Sequence, residues 1–330
     1  MCQNPPMSEP QQWAFQDALQ PSAEETQFDL ARALDAMVLI RAEVPPDGYT
    51  VSNLGTERGG YGVAIRDDGL VLTIGYLINE ASQIWLTSNR GAVVPGHRLA
   101  YDHTTGFGLI QPLGRLAVPH LARGLASEAK VGDSAFVLGH GGLGHALKTR
   151  IVDKREFAGS WEYVLDEALF TSPAHPQWGG AALLDAQGDL IGIGSLLVTH
   201  EVNGEAAHAN MFVPIDLLEP IFEGMLQTGR SPRPPHPWLG MSAHESDDKL
   251  IVTKLSASGP AQRAGVKVGD VVLGVGALRI TDLAEFFRAV WRLGDAGVDV
   301  PLTLARDGDV LRITVKSADR HDFLKKPNLH

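Results

Sequence analysis

A chain of 330 residues is longer than one hydrophobic core usually organises, so two or more domains are expected. Its net charge of -11 argues against wrapping nucleic acid or an anionic lipid surface, and its one cysteine, Cys2, leaves no internal disulfide and no thiolate cluster for zinc. Apolar residues make up 44%, and 36 glycines with 20 prolines punctuate many short apolar runs, which favours β-structure over a helical bundle.

Residues 1–25 are polar and rich in Pro, Gln and Glu; a disordered arm is expected, because they bury too little apolar surface to offset ordering entropy. They lack the basic start and apolar run of a signal peptide, and no later run has membrane-span length. The expectation is a cytoplasmic chain with no membrane insertion, or a periplasmic one if a signal has been removed. From Phe28 to Ala36 the apolar residues Phe28, Leu30, Ala31 and Leu34 have helical spacing, leading into a strand at Met37–Ile40. Short strands are predicted at Tyr61–Ile65, Leu70–Thr73, Gln83–Thr87, Gly108–Ile110, Ser134–Leu138, Lys148–Val152 and Leu190–Leu197, separated by turn residues such as Asp67-Asp68-Gly69. Such regular spacing predicts an all-β barrel or sandwich. Residues 215–229 read as a helix that Gly229 stops.

Residues 230–237 place four prolines in eight positions and predict a semi-rigid linker between a body at 26–229 and a tail. Within the tail, strands are predicted at Leu250–Lys254 and Val271–Val275, helices at Ala261–Ala264 and Leu283–Leu293, and a hairpin of Leu302–Arg306 with Leu311–Val315 around Asp307-Gly308.

The segments Pro237-Trp238-Leu239-Gly240-Met241 and Ser258-Gly259-Pro260-Ala261 through Gly265 to Gly269-Asp270-Val271-Val272, with the helix from Asp282, resemble the PDZ domain of HtrA/Deg-family serine proteases. This implies a PDZ domain at 238–318, a small barrel with two helices, followed by a tail at 319–330. The resemblance implies that a protein C-terminus or extended segment would add as a strand, its carboxylate held by backbone N–H groups of the Trp238–Gly240 loop. Leu239, Gly240 and Met241 would form the backbone side, and Phe286 with Val290 the side-chain pocket; the alternative is that these two are simply core.

The body resembles the trypsin-like domain of the same family, which implies a mainly β fold, a double β-barrel ahead of the PDZ domain. Gly60 to Ile65 and Asp68 to Thr73 match the strand pair that delivers the catalytic histidine, and Tyr76 stands at that position. Tyr101 to Ile110 match the aspartate segment, with Gly106 at the aspartate. Residues 175–193 match the nucleophile segment, with Gly179 at the serine, or Trp178 in a register that needs an insertion; no Ser, Thr or Cys lies between Ser172 and Ser195. Glycine supplies no nucleophile, tyrosine titrates near pH 10 and is a poor base at neutrality, and Gly106 orients nothing. The N–H groups of Gln177 and Gly179 would form a vestigial oxyanion loop around Trp178.

The residues therefore point to an inactive HtrA-like homologue that binds protein or peptide segments as a scaffold. The alternative is a serine-type endopeptidase or other hydrolase built on unorthodox residues such as His175, Tyr76 and Asp102. His140, His145, His175 and His208 do not form a ligand set, Gly139 to Gly144 lacks the lysine and helix start of a phosphate loop, and no cofactor is expected. The family resemblance implies a trimer, for which Trp13 and Phe15 are available.

Overall fold

The computed structural model describes residues 13–202, 205–247 and 249–326. A short helix α1 (Leu30–Asp35) is capped by the Asp29 carboxylate, which accepts from the Arg32 N–H at 2.9 Å. It leads into β1 (Met37–Glu43), and after α2 (Val51–Leu54) the chain forms β2 (Glu57–Ala64), β3 (Val71–Ile74), β4 (Gln83–Ser88), β5 (Val93–Tyr101) and β6 (Phe107–Pro112). These close into an antiparallel barrel in the order β1-β2-β3-β6-β5-β4, with Val38 opposite Gly62 and Leu72 opposite Leu109. Met37, Ile40, Leu72, Ile74 and Phe107 are buried core residues.

The second barrel uses β7 (Ser134–Leu138), β8 (Ala146–Gly159), β9 (Tyr163–Ser172), β10 (Ala182–Leu184), β11 (Leu190–Val202) and β12 (Glu205–Pro214), in the order β10-β11-β12-β9-β8-β7. Closure leaves neither barrel an open edge, which is how antiparallel sheets of short strands avoid templating other chains. Phe170, Phe212, Val137 and Ile193 are buried core residues. Helix α3 (Glu219–Thr228) follows and ends at Gly229, where the glycine stop was expected.

The tail forms β13 (Met241–Ser246), β14 (Lys249–Leu255), α4 (Pro260–Arg263), β15 (Val271–Val275), β16 (Leu278–Arg279), α5 (Leu283–Trp291), β17 (Asp299–Arg306) and β18 (Asp309–Lys316). The sheet order is β13-β14-β15-β17-β18, with β16 paired to β15. Leu239, Val252, Val272, Phe286, Phe287, Val290 and Leu304 share its core. Asp270, 1% exposed, receives Arg306 through Nε at 2.6 Å and Nη2 at 2.7 Å and the Lys267 N–H at 2.8 Å. Removing the guanidinium takes away two of the hydrogen bonds to the Asp270 carboxylate, so Arg306→Ala is expected to weaken this domain, read as faster amide hydrogen exchange at Val252 and Val272. Unchanged exchange would mean that water replaces the arginine.

The described residues divide into two compact units: the first holds those from Trp13 to Arg155, Glu167–Pro232 and Lys325 with Lys326, the second Glu156–Asp166 and Arg233–Leu324. The chain passes from the first unit to the second between Pro232 and Arg233, and the tip of the β8–β9 hairpin also belongs to the second unit, because Val164 joins its apolar core. The expected linker is partly packed: the Ala296 N–H donates to Pro235 O at 2.9 Å and the His236 ring lies 4.4 Å from that of Trp291.

The disordered arm expected over 1–25 needs correction from Trp13 onward; residues 1–12 lie outside the described residues. Trp13 sits edge-on to His145 at 4.4 Å and His175 at 5.5 Å, Phe15 lies 5.1 Å from His175, and the Phe15 N–H donates to Gly144 O at 2.9 Å. Two aromatic rings anchor a segment whose average composition is too polar to fold by itself. Those rings, expected to be available for assembly, are half-buried within the chain. Among the described residues no helix is long and apolar enough to cross a membrane.

Candidate functional site

Tyr76 lies in the 3-10 turn Gly75–Leu77 that follows β3. Its hydroxyl donates to the Ser195 carbonyl at 3.0 Å, and burial pushes the phenol well above its ordinary range, so it cannot serve as a base near neutrality. The turn is held from behind by the buried Arg58, which donates to Tyr76 O and Asn79 O at 2.9 Å each and to Thr50 Oγ1 at 2.7 Å. Burial pulls the Arg58 pKa down to about 10, which leaves it charged at neutral pH. The buried Glu80 carboxylate completes this support, accepting the N–H groups of Tyr49 at 2.8 Å, Thr50 at 2.7 Å and Lys325 at 2.8 Å. Nothing in the sequence pattern flags Arg58 or Glu80, since each resembles an ordinary surface charge.

Gly106 has a φ of +83° and its carbonyl accepts from Gly75 N at 2.7 Å. An aspartate there would have to adopt a left-handed backbone that L-residues avoid. The nearby Asp102 is no substitute, because its carboxylate accepts from Thr105 N and Thr105 Oγ1, both at 2.7 Å, closing its own turn.

The Pro176–Ala182 turn is bound on both sides by backbone. Gly179 O accepts from Tyr61 N at 2.8 Å, Gly180 N donates to Gly194 O at 2.8 Å and Gly194 N donates to Ala181 O at 2.8 Å. Trp178 is 5% exposed and its carbonyl accepts from Ala181 N at 3.0 Å. The Thr73 hydroxyl, beside Gly180, donates to Tyr61 O at 2.6 Å. His175 is fully buried, ringed by Trp13, Phe15 and Tyr61. Asn210 clasps its backbone, Oδ1 accepting from His175 N at 2.6 Å and Nδ2 donating to His175 O at 3.1 Å. Desolvation lowers the His175 pKa to about 4, and the neutral ring accepts the Gln177 N–H on Nδ1 at 3.1 Å while Nε2 faces His145 O at 3.2 Å. That contact corrects the expected oxyanion pair: the Gln177 N–H is already spent on the imidazole. Tyr76, His175 and Asp102 go to separate partners and form no acid–base trio.

In the second unit, the loop expected to receive a carboxylate is shifted by one residue. Trp238 N donates to Ala318 O at 3.0 Å and is not available. The three N–H groups that converge are those of Leu239, Gly240 and Met241, and they converge on Glu162, at 2.9 Å to Oε2 and at 2.7 and 3.2 Å to Oε1. Gly240, at φ +72°, supplies the left-handed step that turns successive N–H groups toward one point. Phe286 and Val290 are 0% and 1% exposed and share a core with Val164, so the expected pocket is filled. Glu162 carries no sequence signature of this role.

A trypsin-like peptidase domain model matches residues 60–193 and a PDZ domain model residues 237–317. The chain is 25% identical over 272 residues to a serine endoprotease DegS of Haemophilus influenzae, covering 82% of this chain and 78% of the relative. It is 26% identical over 302 residues to a putative serine protease HhoA of Synechocystis, covering 83% and 73%. The chain thus joins a trypsin-like peptidase domain to a PDZ domain and is similar over most of its length to these serine proteases. Among solved structures, an HtrA-type protease AlgW with tripeptide superposes with a TM-score of 0.54 at 18% identity, over 90% of this chain and 97% of that one. A serine endoprotease from Yersinia pestis superposes at 0.53 and 21%, over 91% and 98%. The likeness to these structures is one of fold, and it runs from the first barrel through the PDZ domain.

Proposed function

We propose that this chain is an HtrA/Deg-family pseudoprotease: a protein-binding scaffold whose PDZ domain takes protein C-termini or extended segments and whose double barrel performs no hydrolysis. The observation that carries this reading is the composition of the cleft. Tyr76 uses its hydroxyl on the Ser195 carbonyl, Gly106 and Gly179 have no side chain, and the Gln177 N–H is committed to His175. Losing one triad member already removes most of the rate, and here no hydroxyl, imidazole or carboxylate remains in the three roles. The PDZ loop supports the binding half of the reading, since its converging N–H groups already hold a carboxylate.

Fluorescent casein and a fluorophosphonate probe test the inert half: neither turnover nor labelling is expected. Casein cleavage that disappears on substituting Tyr76 or His175 would favour a hydrolase with unorthodox residues. The combined substitution Tyr76→His, Gly106→Asp and Gly179→Ser is also expected to stay at background, because φ +83° at position 106 and the engaged Gln177 N–H persist. Robust turnover by that variant would show that only side chains, not the backbone of the cleft, separate this chain from a protease.

A further inference from the structure

The hairpin tip between β8 and β9 is unusual in three respects that point the same way. Glu162 has a φ of +63°, a conformation that costs a non-glycine residue on the order of 1 kcal/mol and persists only where its surroundings enforce it. It is 5% exposed, although a glutamate at a hairpin tip ordinarily stands in water. Its carboxylate takes the N–H groups of Leu239, Gly240 and Met241, the same three donors that would grip the terminal carboxylate of a bound peptide.

The tip is tied down beyond its carboxylate. Trp161 O accepts from Arg320 Nη1 at 3.0 Å, and Trp161 stacks on Tyr163 with ring centroids 5.8 Å apart. Val164 lies in the cluster that holds Phe286 and Val290, and Arg288 of α5 pairs with both Glu156 and Asp166, one on each strand of the hairpin. A side-chain carboxylate in the loop and an apolar residue against α5 reproduce the two contacts a peptide end would make.

We propose that Glu162 is an internal ligand of the PDZ domain, so that a protein C-terminus enters the carboxylate loop only by displacing the β8–β9 tip. The proposal rests on the peptide-binding reading of the PDZ domain given above. Displacement is feasible because the docked tip carries its own costs: the left-handed backbone at Glu162, and a carboxylate drawn out of water, whose pKa burial raises to about 7 despite its three N–H donors and Arg320. An incoming α-carboxylate replaces those hydrogen bonds one for one and takes over the desolvation, while the released tip sheds the left-handed backbone at Glu162.

The test uses the full chain and two variants that loosen the tip by different routes, Glu162→Ala at the carboxylate and Arg288→Glu at the strands, each checked by circular dichroism for an unchanged fold. The probe is a fluorescein-labelled pool of random decapeptides ending in Val, Leu or Phe with a free carboxylate, against the same pool amidated, followed by anisotropy. Both variants are expected to bind the free-acid pool at least about tenfold more tightly than the parent, with no gain for the amidated pool. In amide hydrogen exchange, Leu239, Gly240 and Met241 are expected to lose protection in Glu162→Ala while Val252 keeps its own. Equal, tight binding by parent and variants would overturn the internal ligand and leave peptide binding intact. Unchanged protection at residues 239–241 in Glu162→Ala would overturn it as well. No binding by any of the three proteins would remove the peptide-binding reading, and the proposal with it.

Discussion

Gly180→Ala is expected to be the most damaging small substitution in the first unit, costing about 4 kcal/mol or more and leaving little folded protein at 37 °C. The added Cβ would lie 1.9 Å from Tyr61 O and 2.6 Å from Thr73 Oγ1. Neither neighbour can swing aside, because one is strand backbone and the other is the hydroxyl bonded to it. The residue also has a φ of +77°, so the substitution adds backbone strain to the clash. Gly91→Ala separates the two effects, having a φ of +83° with nothing within 4 Å of the added carbon. It should cost only about 1 kcal/mol. Urea unfolding of both variants reads the difference directly; if Gly180→Ala is no worse than Gly91→Ala, the turn is far softer than its packing implies.

Acid should weaken the fold through His175. An ordinary histidine titrates near 6.5, whereas the buried ring is held at about 4, so as pH falls through that window the unfolded chain takes up a proton that the folded chain refuses. The stability present at neutral pH is therefore lost between about pH 6.5 and 4, to a total of about 3 kcal/mol from this group. Glu162 acts in the opposite sense, since its raised pKa lets the folded form gain a proton first as pH drops below about 7. The parent's net curve mixes the two, and the informative quantity is its difference from His175→Gln. That variant is expected to be less stable at pH 7 and to lose about 2 kcal/mol less on going to pH 4.5. Parallel curves for the two proteins would mean that His175 is not held neutral.

Turn chemistry and apolar alternation made five strands of the first barrel, all but β5, and the hairpin around Asp307-Gly308 readable from sequence, and the Gly-Pro-Ala and Gly-Asp segments located the PDZ domain. The strands β9 and β12 were not anticipated, because long runs such as Glu205–Pro214 mix small, polar and apolar residues and acquire strand character only from neighbours in a closed barrel. Tyr76, Gly106 and Gly179 are singled out only by the register of their flanking segments in the resemblance. Glu162, Glu80 and Arg58 were not legible: a charge reveals its role only when tertiary structure removes it from water and assigns its partners. The arm failed for a related reason, since composition averages over residues and Trp13 and Phe15 act individually.

Glu80 draws one of its hydrogen bonds from Lys325, a residue that follows the entire PDZ segment in the chain, and Lys325 Nζ also pairs with Asp47. A recombinant fragment ending at Pro232 would therefore lack a native strut beneath the Tyr76 turn, and its melting temperature would understate that of the barrel in the intact molecule. Dissecting this protein into modules by cutting at the proline-rich stretch removes a piece of the module one means to keep.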